Sequence, residues 1–145
     1  MGADFVTYTP NGDEARMAYT TVHRIRGYLA RLAGEEFSNK YIKVFADLRI
    51  ANTRNDPFEI SKADVAFNEL MLGLEGKYAY GIRAFLDHSD CDGVFYTEDC
   101  GAIAKVLDAL LETDIVLSED DRSIIDDLIT AFESAYDHDG IVIIY

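Results

Sequence analysis

Read by the spacing of its apolar positions, the chain has short β-type runs at its two ends and helical tracts between them. Phe5-Val6-Thr7-Tyr8-Thr9 is rich in β-formers and stops at Pro10-Asn11-Gly12-Asp13, where Asn-Gly supplies the positive-φ positions of a tight turn. From Asp13 to about Ala33, the residues Ala18, Val22, Ile25, Leu29 and Leu32 recur at three- and four-residue steps. Gly34 follows where helices commonly end, so this stretch predicts a first helix. Its opposite face carries Arg16, Arg24, Arg26 and Arg31, which reads as a solvated basic face.

Residues 35–60 are ambiguous. Tyr41-Ile42-Lys43-Val44-Phe45-Ala46 fits a strand or the core of a short helix, and Asn52 to Pro57 has the composition of a loop. Ser61-Lys62-Ala63-Asp64 resembles a capping box and predicts a second helix with Val65, Leu70, Met71 and Leu74 inside, interrupted by Gly73 and Gly76. Tyr78, Ile82, Phe85 and Leu86 space a third helix. Thr97 caps a fourth, with Ile103, Val106, Leu107, Leu110 and Leu111 inward. Ser118-Glu119-Asp120-Asp121 caps a fifth, with Ile125, Leu128, Ile129, Phe132 and Tyr136 on its inner face.

After Asp137-His138-Asp139-Gly140, the run Ile141-Val142-Ile143-Ile144-Tyr145 predicts a buried strand. Left unpaired it invites aggregation, so it is expected to pair with Phe5 to Thr9 or with the segment near Val44. The expectation is an α+β fold: one domain over residues 1–145, mostly α-helical with about five helices, and a small sheet built from the terminal segments.

Composition adds a compartment and a charge. No apolar run approaches the roughly 18 residues that span a bilayer, and Met1-Gly2-Ala3-Asp4 lacks the basic start of a signal peptide. The expectation is a cytoplasmic protein, with Cys91 and Cys100 as reduced, buried thiols and no membrane partner. The net charge is -14, which argues against direct binding to nucleic acid. Residues 1–86 balance at 11 acids and 11 bases, whereas residues 87–145 carry 16 acids against Lys105 and Arg122 alone. The whole excess therefore sits in the C-terminal part.

One loop there has metal-ligand spacing. An EF-hand calcium loop places oxygen ligands at positions 1, 3, 5, 7, 9 and 12 around a glycine at position 6. With Gly93 at that glycine, Asp90 and Asp92 fall at 3 and 5, the Val94 carbonyl at 7 and Asp99 at 12, between two helical tracts. Position 1 is His88 and position 12 a short Asp, so any calcium affinity is expected to be weak. Without metal, the same residues make Asx turns and start the next helix. His88, Cys91 and Cys100 match no paired zinc spacing.

His88-Ser89-Asp90-Cys91-Asp92-Gly93, followed by Thr97-Glu98-Asp99-Cys100 at a helix start, resembles a signature in a family of small, functionally uncharacterised proteins from bacteria and their phages. The resemblance spans about Ala18 to Tyr145, leaving residues 35–76 unmatched. It implies a bacterial or phage origin, and no activity.

Enzyme motifs are missing: there is no Gly-x-Ser-x-Gly, no P-loop, no His-Glu-x-x-His and no Gly-x-Gly-x-x-Gly, and His23, His88 and His138 stand far apart in sequence. A non-enzymatic role is expected. The fifth helix turns Glu119, Asp120, Asp126, Asp127, Glu133 and Asp137 outward, and the fourth adds Asp108 and Glu112. Such a field can imitate the phosphates of nucleic acid toward a basic protein. A phage origin would suit an inhibitor of a nucleic-acid-binding defence protein, as anti-CRISPR proteins are. The alternative is a charged face that only maintains solubility.

Overall fold

Alternation rather than helical periodicity governs the start of the chain. In the computed structural model, which describes residues 2–8, 12–88 and 93–145 and only the backbone of Tyr8, Gly2–Tyr8 forms β1 and Glu14–Ala18 forms β2. They pair antiparallel, Gly2 opposite Ala18 and Val6 opposite Glu14. Ala15 and Met17 point inward between exposed neighbours. The helix predicted from Asp13 is therefore corrected: Ala18 ends the strand, and α1 runs Tyr19–Leu32 with Val22, Ile25 and Leu29 buried. An inward set of one Ala and one Met leaves too faint a period-2 signal to compete with the helical one. Of the predicted turn, Gly12 has φ 59°, while Pro10 and Asn11 lie outside the described residues.

Ile141–Ile144 forms β4 and pairs antiparallel with β1, Phe5 opposite Ile144. The apolar terminus is thus covered as expected, by the N-terminal strand and not by the segment near Val44, which is helical. The other edge of β4 takes Gly93–Phe95, β3, which the sequence pattern does not predict because three residues carry no period. The order is β2-β1-β4-β3, all antiparallel.

Six helices accompany this sheet among the described residues, one more than expected. The ambiguous segment is α2, Glu35–Arg54, a single helix of 20 residues that includes Asn52. Asn55 then takes the left-handed conformation, and Asp56 caps α3, Pro57–Leu72, by accepting from the backbone N–H of Phe58 at 3.0 Å and Glu59 at 3.4 Å. Proline at the first helical position needs no N–H donor, so α3 starts four residues before the predicted Ser61. That shift matters for its faces: Ala63, Phe67 and Met71 are buried and Val65 is exposed. α3 rests chiefly on α2, and the carbonyls of Met71 in its last turn and of Leu74 just beyond its end accept from Arg83. The remaining helices are α4 (Ala79–Leu86), α5 (Thr97–Leu111) and α6 (Glu119–Asp137), near their predicted places. Thr97 is the first residue of α5 rather than its cap, and its hydroxyl donates to the Gly140 carbonyl.

The core forms where one face of the sheet meets α4, α5 and α6. Phe5 of β1, Phe95 of β3, Phe85 of α4 and Phe132 of α6 pack together, with ring centroids 5.2–6.4 Å apart. Thr7, buried on the same face, donates to the Ala131 carbonyl at 2.8 Å and ties β1 to α6. No helix among the described residues is long and apolar enough to cross a membrane.

The predicted basic face of the first helix separates into different jobs. Arg16 lies on β2, beside Glu14 at 2.6 Å. Arg24 reaches across to Asp121 at the start of α6, and Arg26 is buried. Arg31 is exposed at the end of α1.

Candidate functional site

α6 begins at Ser118, whose hydroxyl accepts from the Asp121 backbone N–H at 3.1 Å, the predicted cap. Ile125, Leu128, Ile129, Phe132 and Ala135 are buried and fix which side of the helix faces the core. Tyr136, expected inside, is half exposed because its ring lies across Gly101 of α5. With the inner face fixed, the acidic side chains point outward: Glu119, Asp120, Asp126, Asp127, Glu133 and Asp137 are all exposed. Glu119, Asp126 and Glu133 follow one another at seven-residue steps. Seven residues are close to two helical turns, so the three form a row about 20 Å long at 1.5 Å per residue. Asp120 and Asp127 form a second, parallel row.

α5, the main packing partner of α6, adds Asp108 and Glu112, both exposed and one turn apart. Among the described residues none of these eight carboxylates belongs to an ion pair. The bases of this half do not relieve them: Lys105 is exposed on α5, and Arg122 donates to the Leu111 carbonyl at 3.4 Å.

Asp121, beside them in sequence, behaves oppositely. It is buried and accepts from Arg24 at 2.8 and 3.0 Å and from the Tyr28 hydroxyl at 2.7 Å. The Arg24 hydrogen bonds first, and the Tyr28 bond after them, hold its carboxyl below the ordinary carboxylate range. The hydrogen bond to Asp121, and burial after it, push the Tyr28 hydroxyl up. This cluster latches α1 to the start of α6, the acidic helix. Its sequence signal is that Asp121 stands four residues before Ile125, inside the apolar stripe. Arg26 carries the same signal, four residues after Val22 and three before Leu29.

Around the predicted calcium loop, Asp90 and Asp92 lie outside the described residues, as does Cys91. The Val94 carbonyl accepts from His88 Nε2 at 3.0 Å, and the His88 ring stacks on Phe95 with centroids 3.7 Å apart. Asp99, in the first turn of α5, accepts from the Tyr80 hydroxyl, whose pKa this hydrogen bond raises. Among the described residues no three His, Cys, Asp or Glu side chains converge on a point that a metal ion would fill. Cys100 is a buried thiol that donates to the Phe95 carbonyl at 3.4 Å, and burial pushes its pKa up to about 12. Such a thiol is no nucleophile at neutral pH.

No family model matches the chain, and neither a curated protein nor a solved structure matches it.

Proposed function

We propose that the outer face of α5 and α6 docks a basic protein, of the kind that itself binds nucleic acid, and that the chain acts by occupying that partner's binding groove. The observation that carries this reading is the exposure of all eight carboxylates, with no ion pair among the described residues to quench them. Solubility asks only for net charge, which can be spread over the whole surface. Here residues 1–86 are balanced and the whole excess lies in residues 87–145, where α5 and α6 carry ten of the 16 acids. Like charges aligned along one helix destabilise it by a few tenths of a kcal/mol per pair, a cost that a dispersed surface avoids.

The rows also have a useful spacing. Successive carboxylates in the Glu119, Asp126, Glu133 row are about 10 Å apart along the helix, close to three nucleotides at about 3.4 Å per strand step. A basic groove lined for phosphates would meet negative charge at comparable intervals, with fast, salt-sensitive association. Taken with the resemblance of the His88 to Gly93 signature to bacterial and phage proteins, the favoured partner is a host defence protein working in the bacterial cytoplasm.

The test is competition. Basic proteins captured from a bacterial extract on the immobilised chain are challenged with duplex DNA at constant ionic strength. Release of the captured protein by DNA supports mimicry, and retention in the presence of saturating DNA contradicts it.

A further inference from the structure

Arg26 poses a problem that the acidic face does not answer. Its side chain is 95% enclosed, at 5% exposure, and its Nη2 donates to the backbone carbonyls of Leu86 and His88. Those bonds cap the C-terminal end of α4, where a cation is favoured. They use one nitrogen of three. Nε has no hydrogen-bond partner, and among the described residues no carboxylate pairs with the guanidinium. A buried cation with an unused donor and no counter-ion is costly, and native structures rarely keep one without a reason.

The reason lies beside it. Arg26 lines a cleft of about 430 Å³ between α1, α2, α3 and the end of α4, within the size range of small-molecule sites. Arg49, Asn52 and Asn68 line the same cleft and carry further N–H donors. Asp64 and Asp87 also line it and are exposed, so a large polyanion meets repulsion there. Donor-rich walls, a buried cation and two exposed carboxylates on one lining suit one small anionic group rather than an extended polyanion.

We infer that this cleft binds a small ligand through an oxyanion group, a carboxylate or a phosphate monoester, with Arg26 as the buried counter-charge. Arg49 supplies the second, exposed cation, and the amides of Asn52 and Asn68 complete the donors. The site is separate from the acidic face and does not depend on the docking reading.

The experiment is an NMR titration of the ¹⁵N-labelled chain with acetate and, separately, with inorganic phosphate, sodium chloride holding the ionic strength constant. The expected result is a saturable shift of the Arg26 Nε–H signal and of the Asn52 and Asn68 side-chain amides. Saturation with acetate assigns a carboxylate ligand, and with phosphate a phosphorylated one. Arg49→Gln, exposed and outside the core, is expected to weaken the binding several-fold with an unchanged melting temperature. Signals that move no further than with chloride alone overturn the assignment. So does undiminished binding in a folded Arg26→Gln variant.

Discussion

At the scale of single residues, the consequential side chains are two buried charges, Asp121 and Arg26. Asp121 is held by Arg24 and Tyr28, and its carboxyl titrates below the ordinary value. The unfolded chain therefore takes up the proton first as the solution is acidified. The stability contributed by the cluster is complete above about pH 4, the usual carboxylate pKa, and is lost as pH falls through the depressed folded value. Asp121→Asn leaves Arg24 without its charge partner. Because the Arg24 side chain is half exposed, water offsets part of the loss, and the expected destabilisation is about 2 kcal/mol. Urea unfolding at neutral pH measures it, and the difference from wild type should shrink on acidification below about pH 4. Both Asp121 and Arg26 sit at helical spacing within an apolar stripe, so their burial was legible in the sequence. The pattern of four arginines on one helix obscured it.

At the scale of elements, the helices with wide apolar stripes, α4, α5 and α6, were readable from spacing alone; that the C-terminal strand needed a partner was legible too, but the choice between the N-terminal strand and the segment near Val44 was not. What spacing missed has a common physical cause. β2 buries only Ala15 and Met17, and β3 is three residues long, so neither carries a measurable period. α2 buries only Ser38, Tyr41 and Ala51 along 20 residues, which left Tyr41 to Ala46 ambiguous and let Asn52 to Pro57 read as a loop. The turn is two residues, Asn55 and Asp56, and its signals were the Asn and the Asp-Pro pair.

One element contact rests on a single glycine. A Cβ on Gly81 of α4 would lie 2.5 Å from the Ala102 carbonyl oxygen and 2.7 Å from a Val106 methyl of α5. The obstacle is partly backbone, which cannot swing aside as a side-chain tip can, so the helices must separate. Gly81→Ala is expected to destabilise by about 2 kcal/mol, within the range of overpacked cores, despite the better helix propensity of alanine. Thermal unfolding measures this, and an unchanged or raised melting temperature would contradict the close α4–α5 approach.

At the scale of the whole molecule, the governing feature is the separation of charge. The net of -14 lies in the C-terminal part, while the balanced remainder builds β1, β2 and α1 to α4. Self-repulsion across α5 and α6 is screened by salt, whose Debye length falls from about 30 Å at 0.01 M to about 8 Å at 0.15 M. The melting temperature is therefore expected to rise over that range, by more than in a variant with Asp126, Asp127 and Glu133 neutralised. Equal salt responses of the two proteins would show that the α6 carboxylates do not dominate the repulsion. The outward direction of these side chains was legible because the inner face of α6 is so clearly apolar. The latch through Asp121, which fixes the acidic helix against α1, was not, since no local pattern announces a contact between residues 97 apart.

The most direct test of the docking reading separates position from amount of charge. Affinity for the DNA-displaceable partner is measured by calorimetry for wild type, for Asp126→Asn/Asp127→Asn/Glu133→Gln, and for Glu35→Gln/Glu36→Gln/Glu59→Gln, which removes the same charge from α2 and α3. The account predicts at least a tenfold loss in the α6 variant, about 1.4 kcal/mol or more, with near wild-type binding in the other. Equal losses in the two variants, or none in either, would contradict a docking face on α5 and α6.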